Sequence, residues 1–295
     1  MQTVSGNTQT GLNLGKRGRT QMIDRYYRFA DIGIRIIQDQ ENPLTGFEEF
    51  ETEPVSDPQV VFELYQDRKN YRQCYGIEYY TVQPDWPYLF CSKKYPEVRM
   101  TANRTWTRGI IEGCQSSGEG VMEVLLAGFY SFFSLRGGIL VHASSVKWRD
   151  EAIIFTAASG TGKTTQAELW EKYKNAGILN GDKMLLACSG DGCDAWGSPW
   201  RGSSKYALNE KAPLRAVVVL EQAKSNTIRR LGGEEALARF SPHLFYPSWN
   251  EECTKGVMDA FSNLMKRVPV YLLSCLPDRE AVEITCNTIW GEKSV

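Results

Sequence analysis

Apolar positions repeat with one period in the first third of the chain and with another after it. From Tyr26 to Ile37, Ile32, Ile34 and Ile36 alternate with Gly33 and Arg35, which predicts a single half-buried strand. Val60–Tyr65 and Gly76–Val82 read as shorter strands, followed by 98–100 and 105–111. Prolines at 43, 54, 58, 84 and 87 keep these pieces short, because proline cannot donate to a sheet ladder. Gly120 to Phe133 then has the length and apolar content of a helix, the first in the chain. The pattern predicts a tail over 1–20, a β-rich unit with a bridging helix over 21–135, and a second domain over 136–295.

The second domain opens on a strand from Gly137 to Val146. Only Lys147 to Asp150 separate it from the apolar run Ile153, Ile154 and Phe155, so the two must form a hairpin. A helix follows in which Ala167, Leu169, Trp170 and Tyr173 face a core, and then a short strand over 176–179. Met184–Ala187 and Cys193–Trp196 flank a Ser-Gly-Asp-Gly turn signal. Beyond the strand Leu214–Leu220, helices are expected over 234–240 and 252–267, a strand over 268–275, and a closing helix after Pro277 with Asp278 as its cap.

Between the strand ending at Phe155 and the helix lies Ser159-Gly160-Thr161-Gly162-Lys163-Thr164-Thr165. Strand, glycine-rich loop and helix in that order form a phosphate cradle. Loop and helix-start N–H groups meet the anion, Lys163 reaches a terminal phosphate, and the Thr164 hydroxyl ligates Mg²⁺. The full pattern has Gly where this chain has Ala157, so Ala157 turns with φ below zero or is strained. Asp182, after the next strand, is placed to hold Mg²⁺ or to take a proton from a hydroxyl; the alternative is a solvated carboxylate in an Asn-Gly-Asp turn. His142 ends an apolar strand, where a hydrogen-bonded core histidine is the default. The loop Gly197–Lys205 carries Ser203, Arg201 and Lys205, and either wraps an anionic substrate or only connects strands. His243, in an aromatic segment, matches no metal spacing.

Charge and composition change this little. Lys and Arg (34) nearly balance Asp and Glu (35), which argues against a dedicated nucleic-acid surface. No run approaches a membrane span, and the polar start lacks the apolar stretch of a signal peptide, so a cytoplasmic protein is expected. The 8 cysteines include no CxxC pair and are expected to be mostly free thiols. Cys188 and Cys193 flank a hairpin turn and are not expected to bind metal.

His142-Ala143-Ser144, Ser159–Thr164 and Asn180-Gly181-Asp182 together resemble the landmarks of the bacterial HPr kinase/phosphorylase catalytic domain, whose fold is related to ATP-dependent phosphoenolpyruvate carboxykinase. Leu140–Ser144, Gly197-Ser198-Pro199-Trp200 and the stretch from Ala212 to Glu221 are most similar to HPr-kinase-like proteins of bacterial peptide-modification clusters, including kinases of lasso-peptide pathways. The resemblance spans roughly 137–290. It implies an α/β phosphate-loop domain with a mixed sheet and ATP- and Mg²⁺-dependent transfer of phosphate to a hydroxyl. In that reading His142 lies near the phosphates, Lys163 clamps them, Thr164 is on the metal, and Arg201 stabilises the transferring group. HPr kinases carry an acid where this chain has Thr165 and a tandem Asp-Asp where it has Gly181-Asp182. Asp182 would then serve as base and metal ligand, with Glu221 a further metal ligand and Ser203 and Lys205 facing the acceptor. The expected partners are a nucleotide and a hydroxyl-bearing peptide, protein or small molecule. The alternatives are a nucleotide-binding regulatory or assembly protein without transfer, and a phosphorylase or lyase on the same scaffold. The acceptor and the oligomeric state stay open.

Overall fold

The computed structural model describes residues 22–40, 44–66, 85–92, 94–190 and 192–291, and the backbone of 72–74 and 77–79. The polar stretch 1–20, and all of the expected strand Gly76–Val82 beyond the backbone of 77–79, lie outside the described residues. The fold is α/β, with mixed sheets and several helices.

The stretch Tyr26–Ile37, expected as one strand, belongs to two. β1 (Ile23–Phe29) and β2 (Ile32–Gln38) pair antiparallel about Ala30 and Asp31, whose φ values are 51° and 59°. Two consecutive left-handed residues are what a tight hairpin turn requires. Neither residue is Gly or Asn, so the turn lacks its usual residues and shows only as a shift of the buried positions from 27 and 29 to 32, 34 and 36. Next come β3 (Val60–Tyr65), the small hairpin of β4 (Arg72–Cys74) and β5 (Ile77–Tyr79), β6 (Tyr88–Cys91), β7 (Arg99–Ala102) and β8 (Arg108–Glu112). The first sheet runs β1-β2-β3-β8-β7-β6, with β3 parallel to both its neighbours and the other pairs antiparallel.

α1 (Gly118–Ser134) is capped by Ser117, whose side chain accepts from the Gly120 N–H. It is buried along most of its length because it packs on the first sheet and, on its other side, on α4 and β9 of the second half. Those elements are β9 (Gly138–Trp148), β10 (Glu151–Thr156), α2 (Lys163–Lys174), β11 (Gly177–Asn180), β12 (Lys183–Ser189), β13 (Gly192–Trp196), β14 (Lys211–Gln222), β15 (Thr227–Arg230), α3 (Gly233–Phe240), α4 (Glu251–Arg267), β16 (Val270–Cys275) and α5 (Arg279–Trp290). Asp278 caps α5 by accepting from the Ala281 N–H, as its position before the helix predicts.

Two long strands shape the second sheet. β9 gives its first half to β12 and its second to β10, while β14 pairs first with β13 and then with β10. Since β12 also pairs with β13, these five strands close a ring. β10 is antiparallel to β9 and parallel to β14, which makes the sheet mixed. Its side chains alternate between two cores: Ile153 and Phe155 pack with Trp170 of α2, and Ala152 and Ile154 pack with β14 and α4. Cys91, Cys114, Cys253, Cys275 and Cys286 are free, as expected for most cysteines, whereas Cys188 and Cys193 are disulfide-bonded. They stand directly opposite across the β12–β13 hairpin, a cross-strand proximity that the turn signal implied.

Trp200 joins the two halves. It follows β13, yet its ring sits within 5.4–5.6 Å of the Phe29, Phe47 and Phe129 rings, and its Nε1 donates to the Met122 carbonyl of α1 at 3.2 Å. Trp200→Ala is expected to lower stability by about 3–5 kcal/mol, the usual cost of deleting a buried tryptophan. Urea denaturation measures it; a change below about 1 kcal/mol would mean that the ring is not part of the core.

Candidate functional site

The loop after β10 is shaped by its backbone. Gly160 and Gly162 have φ of 79° and 112°, a region that side chains rarely enter, and Gly162 leads directly into α2. No side chain caps the start of α2, so its first-turn N–H groups are free for an anion. Ala157 is buried and is not among the described non-glycine residues with positive φ, so it turns in the ordinary region and its methyl packs in the core under α2. Lys163 folds back over the loop, with Nζ donating to the carbonyls of Ala157 at 3.2 Å and Ala158 at 3.4 Å. Burial holds its pKa below the usual lysine value, opposed by the charge of Asp182.

Across from the loop, one face of β9 supplies three contacts in sequence. Leu140 packs into the aromatic core shared with the first sheet, His142 reaches Asp182, and the Ser144 hydroxyl donates to the Lys163 carbonyl at 2.6 Å. His142 is opposite Lys183 in the β9–β12 register, which brings its Nε2 to 3.2 Å from Asp182 Oδ1. The other carboxylate oxygen accepts from Lys183 Nζ. Asn180, fully buried, makes the turn: its Oδ1 accepts from the N–H groups of Asp182 at 2.7 Å and Lys183 at 2.9 Å. The Asn-Gly-Asp turn is therefore real, but Asp182 is engaged within it rather than merely solvated.

A cavity of about 590 Å³ lies between these walls. It is lined by Ser159, Gly160, Gly162, Lys163, Thr164 and Thr165 of the loop and helix start, by His142 and Asp182, and by Arg201, Ser203 and Lys205 of the loop after β13. Thr161 and Glu221 are elsewhere: both line a second cavity, on the other side of the loop, which shares Ser159 and Gly160 with the first. Glu221 accepts from the Ser274 hydroxyl at 3.2 Å and lies 3.9 Å from Arg239, away from Thr164 and Asp182. Thr164, Asp182 and Glu168 bring hard oxygen donors to the first cavity, a set that suits Mg²⁺. No three His, Cys, Asp or Glu converge among the described residues, so an ion there would complete its shell with phosphate oxygens and water.

Four contributors have places here that the sequence reading did not assign. Glu168 and Tyr206 form part of the outer wall, and the Tyr206 hydroxyl donates to Glu168 at 3.3 Å. Glu168 had a signal, since it stands one helical turn after Thr164. His243, which matches no metal spacing, lines the second cavity beside the loop; burial first, then the charges of Lys163 and His142, lower its pKa. Ser204 explains Gly181. A Cβ at position 181 would lie 2.0 Å from Ser204 Oγ, so the loop after β13 occupies the space that a second aspartate would need.

Gly181→Asp is therefore expected to cost about 1–3 kcal/mol through overpacking, and Ser204→Gly is expected to recover most of it; thermal denaturation of the single and double variants checks this, and equal losses in both would contradict it. His142 gives a pH dependence. Burial and the Lys163 charge depress its pKa, with Asp182 opposing. The unfolded chain then binds the proton more readily, so the contribution is present above the unfolded histidine value of about 6.5 and is lost as pH falls below it. His142→Gln should flatten the stability profile between about pH 7 and 5; a profile unchanged by the substitution would contradict it.

Comparison with known proteins gives a family and distant structural likeness. No curated protein matches the chain. Among solved structures, the Hpr(Ser) kinase/phosphatase from Coxiella burnetii overlaps 50% of this chain and 94% of its own, at 9% identity and a TM-score of 0.32. Residues 119–278 match the family described as SynChlorMet cassette protein ScmC, a span that runs from the start of α1 through the glycine-rich loop to the cap of α5. That match covers more than half of the sequence, and the chain belongs to the ScmC family.

Proposed function

We propose that this chain binds ATP with Mg²⁺ along 159–165 and transfers the terminal phosphoryl group to a hydroxyl of a peptide, protein or small molecule. The observation that supports it most is the path from β10 through two left-handed glycines into an uncapped helix start, with Lys163 over the loop and Asp182 across the cavity. The motif likeness to HPr kinases agrees with it. In this reading the halves 21–135 and 136–295 are an acceptor-selecting unit and a nucleotide-binding domain of HPr kinase/phosphoenolpyruvate carboxykinase type.

Loop N–H groups hold the phosphates, and Lys163 Nζ exchanges its two carbonyl partners for phosphate oxygens. Thr164 and Asp182 hold Mg²⁺, which supplies charge stabilisation to the phosphoryl group. Transfer forms a bond from the acceptor oxygen to the terminal phosphorus. The bond from that phosphorus to the bridging oxygen breaks, and the diphosphate leaves with the electron pair. The acceptor proton passes to the Asp182 carboxylate, within the reach that general-base catalysis needs. His142, kept neutral, donates from Nε2 to Asp182 and fixes its orientation. Arg201 stabilises charge on the transferring group, and Ser203 and Lys205 face the acceptor.

One observation favours a second reading, nucleotide binding without transfer: both Asp182 oxygens are engaged, and Ser204 fills the space beside Gly181. Calorimetric titration with ATP and Mg²⁺, paired with single-turnover transfer from labelled ATP to fractions of cell extract, separates the two. Lys163→Met is expected to weaken binding at least about tenfold, and Asp182→Asn to slow transfer by about 10²-fold or more with a smaller effect on affinity. Unchanged binding in Lys163→Met contradicts the loop assignment, and wild-type transfer by Asp182→Asn contradicts the base. Binding without transfer in every fraction leaves the second reading.

A further inference from the structure

Glu168 stands four residues after Thr164 on α2. Residues so spaced are neighbours on one helix face, and helical side chains lean toward the N-terminus. A carboxylate at 168 therefore leans back over Thr164 toward the loop, and it lines the same cavity as Thr164 and Asp182. Its direct partner is neutral: the Tyr206 hydroxyl donates to Oε1 at 3.3 Å, while the Lys205 ammonium, bonded to the same hydroxyl, acts on Glu168 from farther off. Asp182 is situated differently, with one oxygen facing His142 and the other Lys183. The cavity thus holds one carboxylate in direct contact with two nitrogen donors and one whose direct contact is the Tyr206 phenol, with the Lys205 charge beyond it. A magnesium ion carried by phosphates typically takes one or two protein carboxylates and fills the rest of its shell with water.

We infer that Glu168 is the second carboxylate for the divalent ion of this site, facing it from the α2 wall opposite Asp182, with Tyr206 as the positioning residue that aims it. The inference rests on the nucleotide reading above and adds a ligand group that the phosphate-loop motif does not contain. Glu168 is solvent-exposed on α2, so its replacement leaves the core untouched.

The test is calorimetric titration of the full chain with ATP, in EDTA and across a magnesium series, for the wild type, Glu168→Gln, Tyr206→Phe and Glu171→Gln. Loss of a carboxylate beside a metal shell commonly costs about 10–100-fold in metal affinity. Glu168→Gln is therefore expected to raise the magnesium concentration needed for half-maximal ATP binding by at least about tenfold. Its binding in EDTA should be unchanged or tighter, because a negative charge near the phosphates is gone. Tyr206→Phe should shift the magnesium requirement the same way by less, and Glu171→Gln, one turn farther along the helix, should match the wild type. A Glu168→Gln requirement equal to the wild type's overturns the inference and leaves ATP binding intact. A Glu171→Gln shift as large as that of Glu168→Gln overturns it too, since the effect would be general charge. A wild type that binds no ATP fails earlier and removes the nucleotide reading together with the inference.

Discussion

The carboxylate of Asp182 lies between His142 Nε2, brought to it by strand register, and Nζ of Lys183, its neighbour in sequence. β9 and β12 pair so that His142 faces Lys183, and the Ala143 N–H donates to the Asp182 carbonyl at 3.0 Å. Asn180 closes the turn beneath by accepting from two successive N–H groups. A charge in this partly buried place is tolerated because it is matched on both sides. The same face of β9 holds the Lys163 backbone through Ser144, so a single strand sets the distance between the loop and the carboxylate.

The first sheet acts on this arrangement through one side chain. Trp200 is seated among Phe29, Phe47 and Phe129, and Arg201, the next residue, lines the cavity. Gly46 approaches from the first half as well, close enough that a Cβ there would lie 2.6 Å from the Pro199 carbonyl and 3.6 Å from Arg201 Nε. The loop that closes the cavity is thus held by the β-rich half while the glycine-rich loop before α2 belongs to the other.

Much of the second half was legible because its signals are local. The loop motif, the hairpin forced by a four-residue connection, the capping carboxylate of Asp278 and the amphipathic helices all depend on neighbours in sequence. The first half was less so. The turn at Ala30–Asp31 lacks Gly and Asn and shows only as a change of phase in the apolar alternation, and in the second sheet the edge strand β15 has Ile228 as its one apolar residue. At the cavity, sequence spacing identified the groups of the loop, but not the neighbours that decide their roles. Nothing local says that Ser204 fills the space beside Gly181, that Glu221 faces the other side of the loop, or that Trp200 is core rather than rim.

The place where a triphosphate sits decides among these readings. A crystal structure with a non-hydrolysable ATP analogue and Mg²⁺ measures this most directly. The expected result is a triphosphate against the N–H groups of 160–164, with Lys163 Nζ moved from the Ala157 and Ala158 carbonyls onto a phosphate oxygen. A triphosphate bound elsewhere, or a Lys163 still on those carbonyls with the analogue present, would contradict it.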